Sequence, residues 1–239
     1  MWNRWIALLA VLLLPLPALA DAEAAWKAYC ARNYDRALRE LRPLAQAGDA
    51  KAQYYLASIH LDGAAVPRSA AIAVDLLQRS ATAGHEPAQF TLGLLLYNGS
   101  AAGEDRLEPD RPRALPWLVK AAEAGVPLAH ELVGTEYAEG RYLPRDLNRA
   151  RYHLGAAANA GLVNAQAALG ALLGAEYGVQ NAMEAYKWLL LAARAKHPGA
   201  AENLAAMESR LNADERRAAT AAAERFTPMA PPAGACPAF

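Results

Sequence analysis

His130 and Glu131 open like the HExxH motif. There, two histidines one helical turn apart hold zinc, and the glutamate acts as general base. Gly134 stands where the second histidine belongs, so the metal cannot be held in that way. The other histidines, His60, His85, His153 and His197, are scattered along the chain without metal-ligand spacing. Each reads as a partly buried or surface residue. No phosphate-cradling P-loop, GxGxxG or GxSxG occurs. Ser58, Ser69 and Ser80 lack a context that would activate a nucleophile, which leaves only a triad assembled across distant segments. The reading is a protein that is not an enzyme, with no catalytic residue, no metal site and no cofactor.

The elements that would carry a function repeat. Ala-Gln-Ala-Gly ends at Gly48, Ala-Thr-Ala-Gly at Gly84, Ala-Glu-Ala-Gly at Gly125 and Ala-Asn-Ala-Gly at Gly161, so the glycines lie 36, 41 and 36 residues apart. A period of that length marks a stacked-repeat protein, and such arrays mostly bind partners along an extended surface. After each glycine comes a second landmark: Ala52-Gln53, Ala88-Gln89, Ala129-His130, Ala165-Gln166. An aliphatic residue follows four on (Leu56, Leu92, Val133, Leu169), then a very small one (Ala57, Gly93, Gly134, Gly170). Alanine, aliphatic and the residue at position eight (His60, Leu96, Tyr137, Leu173) share one stripe of a 3.6-residue helix. The small residue lets a second helix approach closely. Gly63, Gly99 and Gly140 suit the left-handed end of a helix, and Pro67 and Pro144 stop it continuing.

Second helices are predicted over 70–83, 113–124, 148–160 and 182–195, with Asp146 or Asn148 and Asn181 placed to cap exposed N–H groups. Leu76, Trp117, His153 and Trp188 sit at the bulky position of these helices, and the indoles should fill space between paired helices. In the last copy Lys196 replaces the closing glycine. Abundant alanine and leucine and few β-branched runs make the chain all-α.

With 24 basic and 24 acidic residues, the chain lacks the basic footprint of a nucleic-acid binder. Residues 1–20 read as a signal peptide: Arg4, an apolar run from Ile6 to Leu14, then Pro15, Pro17 and an Ala18-Leu19-Ala20 cleavage site before Asp21. An uncleaved anchor is the alternative, but a span needs about 20 apolar residues. This predicts a periplasmic or secreted protein with no stable membrane insertion after cleavage. Cys30 and Cys236 are the two cysteines. An oxidising compartment allows them to bridge, and free thiols or a bond to another chain are the other readings.

The fourth copy is similar to the Sel1-like repeat, a relative of the tetratricopeptide repeat. It carries Ala165-Gln166, Leu169-Gly170, Gly178-Val179 and Glu184-Ala185-Tyr186-Lys187-Trp188 ending Leu191-Ala192-Ala193. The resemblance covers about 50–200. The first copy departs most, with Leu76 for the usual tryptophan. The resemblance implies a right-handed α/α superhelical solenoid of helix-turn-helix repeats that acts as an adaptor. The expected organisation is a capping helix pair over 21–50, repeats over 51–86, 87–127, 128–163 and 164–199, and capping helices over 200–226. A disordered tail is expected over 227–239. Asn212 with Glu215 reads as a capping box. The longer second copy places Glu104, Asp105, Glu108 and Asp110 in a loop, either a tolerated insertion or part of a binding side.

In such solenoids the first helices line the concave face. Positions two, six and nine after the opening alanine then turn toward a partner: Tyr54, Ser58 and Leu61; Phe90, Leu94 and Tyr97; Glu131 and Thr135. Packing against the neighbouring first helix is the competing role for them. The expected partner is a protein or peptide, bound by a monomer. β-Lactamase or penicillin-binding activity has been associated with cysteine-rich relatives, but the repeats here contain no cysteine. Cell-wall glycan binding is a further alternative.

Overall fold

The structure, a computed structural model, describes residues 21–100 and 106–229. The leader, residues 101–105 with Glu104 and Asp105, and residues 230–239 with Cys236 lie outside the described residues. Twelve helices run in order among them: α1 (Ala22–Cys30), α2 (Tyr34–Gln46), α3 (Ala50–Asp62), α4 (Ala70–Thr82), α5 (Glu86–Asn98), α6 (Arg111–Glu123), α7 (Pro127–Glu139), α8 (Leu147–Asn159), α9 (Val163–Gly174), α10 (Val179–Arg194), α11 (Ala200–Glu208) and α12 (Ala213–Glu224). Each helix from α1 to α10 packs on the next, α10 packs on both α11 and α12, and α1 also touches α3, α7 touches α9, and α9 touches α11. The odd-numbered helices therefore form one layer of an α/α solenoid and the even-numbered helices a second.

Polar side chains define many of the helix starts. Asp21, Asn33, Asp49, Ser69, Asp110, Asp146 and Asn212 each accept from a backbone N–H of the helix they precede, an interaction worth about 1 kcal/mol apiece. Asn212 and Glu215 form both bonds of a capping box. Asn181 does not cap: α10 starts two residues earlier, behind Gly178, and the Asn181 amide donates to Glu176 and to the Tyr177 carbonyl. In the long second copy, Ser100 and Leu107 exchange backbone hydrogen bonds and close the insertion at its base. Asp110 is then spent as the cap of α6, and Glu108 pairs with Arg106 on the surface.

Two devices join the helices. Within a unit, the small residue of the first helix receives a leucine of the second. A methyl group added at Gly93 would sit 2.8 Å from the Leu118 side chain, and one at Gly134 only 2.9 Å from the Leu154 backbone nitrogen. Between units, a buried glutamine reaches back eight residues: the Nε2 atoms of Gln53, Gln89 and Gln166 donate to the carbonyls of Ala45, Ala81 and Ala158 at 3.1, 3.2 and 3.4 Å. Those carbonyls belong to the first alanine of the repeated motif, and each also accepts from the motif's glycine N–H. The glycines take φ values of 86–95°, and Lys196 adopts φ 61° in the fourth copy, a left-handed conformation costly for a residue with Cβ. At the C-terminal end, Met229 N–H donates to the Asn159 carbonyl, so residues 227–229, read from sequence as tail, lie against the end of α8.

Gly134→Val should lower stability by about 1–3 kcal/mol through overpacking. Gly155→Ala, in α8 where an added methyl meets nothing within 4 Å, should raise it by about 0.5–1 kcal/mol. Urea unfolding of the two variants checks the contrast; shifts of the same sign contradict it.

Candidate functional site

The eight residues expected to face a partner lie along α3, α5 and α7, but not all at the surface; Leu61 is half-buried. Phe90, Leu94, Glu131 and Thr135 are half-buried. Tyr54 is half-buried too, its ring 5.0 Å from His85 and 5.6 Å from Tyr55; burial raises its pKa, and the nearby Thr91 and Ser58 act against that rise. It thus packs partly on the neighbouring unit while keeping an open edge. Ser58 is 1% exposed and donates to the Tyr54 carbonyl at 3.1 Å. Thr135 donates to the Glu131 carbonyl, and Glu131 accepts from Asn164 of α9.

Tyr97 is 7% exposed and turns into the junction of the second and third units, where its hydroxyl donates to Glu136 Oε1 at 2.6 Å. Burial first, then the carboxylate, push its pKa up to about 12. Glu136 is fully buried; Arg141 stands 3.9 Å from Oε1, and among the described residues Oε2 has no hydrogen-bond partner. Arg111 lies over the Tyr97 ring at 4.7 Å and the Tyr142 ring at 5.5 Å. Ser58 and Tyr97 are therefore part of the fold's interior and are closed to a partner. The reasons differ: Tyr97 bonds across to Glu136 of the next first helix, whereas Ser58 bonds back to the Tyr54 carbonyl within its own helix.

A second cluster, not expected, joins α6, α7 and α8. His130 occupies the place of the reaching glutamine, and its ring meets the corresponding carbonyl, that of Ala122. On its other side, His130 Nδ1 lies 2.9 Å from Nδ1 of His153. Burial holds both histidines below the usual range, and burial with the nearby His130 and Arg149 takes His153 to about 4. Tyr137 stacks on His153 at 5.8 Å and the exposed Tyr152 meets it edge-on at 5.1 Å. Among the described residues no group of three or more His, Cys, Asp or Glu is placed to hold a metal ion. The bulky position pairs differently in the other copies. Trp188 is buried against Phe226, whereas Trp117 is half-buried with Lys120 over its ring.

The family model of the Sel1 repeat matches residues 50–85, 87–126, 127–162 and 163–197. The chain belongs to the Sel1-repeat family. No curated protein matches this Sel1-repeat chain in sequence. The solved structures that share its fold include two Sel1-type proteins. One is c5321, a protective antigen of uropathogenic Escherichia coli with an SLR fold, at 24% identity and TM-score 0.66; the match covers 87% of this chain and 45% of the antigen. The other is a Sel1 repeat protein from Oxalobacter formigenes, at 21% identity and TM-score 0.63, covering 86% and 82%. This chain thus spans about half of the antigen's length. Sel1 repeats generally serve as protein–protein interaction scaffolds, and among the described residues no helix is long and apolar enough to cross a membrane.

In this Sel1-repeat array Tyr97→Phe removes a close donor to a buried carboxylate. It should cost about 1.5–3 kcal/mol, the range for hydrogen bonds to charged groups. Urea unfolding measures it, and a loss under about 0.5 kcal/mol, typical of surface positions, would show that the tyrosine is not structural.

Proposed function

We propose that the chain is an exported, monomeric Sel1-repeat adaptor that seats a protein or peptide on the layer of odd-numbered helices. The observation that carries this reading is the half-buried apolar ridge made by Tyr54, Phe90 and Leu94 on α3 and α5. Aromatic and aliphatic side chains with an open edge are the usual anchors of an interface. Glu131 and Thr135 continue the ridge as a polar rim on α7. Residues 1–20 support export to the periplasm or beyond, and the even charge balance speaks against nucleic acid.

Immobilised protein should capture a partner from a periplasmic extract. Phe90→Ser with Leu94→Ser should weaken capture by at least about tenfold, the effect of losing an interface hot spot, while the circular-dichroism signal of the helices is retained. Undiminished capture by the folded variant moves the binding surface off α5.

A further inference from the structure

The third unit departs from its siblings at two positions, and the two departures meet. Where the other copies reach back with an untitratable amide, Gln53, Gln89 or Gln166, this copy has His130. Where they carry Leu76, Trp117 or Trp188, it has His153, and the two Nδ1 atoms lie 2.9 Å apart. We propose that the third unit is an acid-sensitive joint: the His130–His153 clasp fastens α6, α7 and α8 while both rings are neutral and releases them on protonation.

The tautomers follow from the partners. A carbonyl only accepts, so the His130 nitrogen facing Ala122 carries a proton. With Nδ1 turned to His153, that nitrogen is Nε2, and Nδ1 of His130 is left as an acceptor. The hydrogen between the rings is then that of His153, whose Nε2 is the one site left for an added proton. Among the described residues an imidazolium there is met by no carboxylate that would offset it. From α8 it faces the Arg149 guanidinium, which repels it and already occupies the Tyr137 ring at 5.4 Å, and the edge of Tyr152. From α7, Glu131 is engaged with Asn164. The last turn of α6 offers the Ala122 carbonyl, while Lys120 and Glu123 are exposed. α9, which packs on both α7 and α8, has no titratable residue at all. A second proton would set two N–H groups face to face at 2.9 Å. Half-buried His153, beside the exposed Tyr152, has a short path into water.

The sign is that of a depressed histidine. An unfolded histidine takes its proton near 6.5, and His153 in the fold near 4. The clasp's contribution is therefore complete above about 6.5 and is lost as pH falls from there toward about 4. Nothing in this depends on which surface a partner uses.

The test is amide hydrogen exchange of the full chain at pH 7.5 and pH 5.0, corrected for intrinsic rates. α9 and α10, which contain no histidine, serve as the internal reference. Exchange in α7 and α8 should accelerate relative to them by at least about tenfold at the lower pH. In His130→Gln/His153→Leu, which puts the residue types of Gln53 and Leu76 at these two positions, the ratio should stay within about twofold. Equal acceleration in wild type and variant, or none in wild type, overturns the joint. A histidine nitrogen NMR titration of the wild type needs no variant: both rings should stay neutral well below pH 6.5, and independent titration at that ordinary value overturns the proposal equally.

Discussion

A buried side chain that reaches back eight residues to a helix-terminal carbonyl holds each unit to the one before it. Gln53, Gln89 and Gln166 make this bond to Ala45, Ala81 and Ala158. The acceptor is a carbonyl at the end of a helix, a group with no partner inside its own helix. The motif's glycine N–H takes one of its lone pairs and the next unit's amide the other. The signature glycine and the signature glutamine are thus two halves of one junction. The glycine turns the chain and bonds the carbonyl, and the glutamine brings the following helix onto it. In a quasi-one-dimensional array, stability is a sum of unit and junction terms, so the solenoid depends on this junction being repeated.

Departures from the repeat are where individuality lies. Ile59, Leu95 and Leu172 occupy an apolar position of the first helix that in the third unit is Glu136. That carboxylate is buried against Tyr97 rather than exposed. In the same unit a histidine replaces the reaching glutamine and finds another histidine where siblings have bulk. The third unit is therefore joined to the second by titratable groups, whereas the other junctions, including that with the fourth, use the glutamine amide.

Much of the fold was legible because it rests on local, periodic chemistry. The glycine motif, the small residue opposite a leucine, the Asn212–Glu215 capping box and the all-α class each follow from spacing along one chain segment. What escaped involved contacts between units. Tyr97 lies at a position that a lone helix turns outward, and it bonds to Glu136 of the neighbouring helix. His130 and His153 are 23 residues apart, so their meeting is set by how α7 and α8 cross. Glu136 could have been noticed as a charge in an otherwise aliphatic column, although its partner could not. Asn181 resembles a cap, but Gly178 starts the helix earlier and leaves the amide to Glu176.

The ridge of Tyr54, Phe90 and Leu94 depends on successive first helices standing side by side, and that spacing is a consequence of the junction. The most direct measurement is urea unfolding of Gln53→Ala, Gln89→Ala and Gln166→Ala. Each should lose about 1–3 kcal/mol, for the missing hydrogen bond and the space left behind. Losses within about 0.5 kcal/mol of zero, as at ordinary surface positions, would contradict the claim that these glutamines hold the array together.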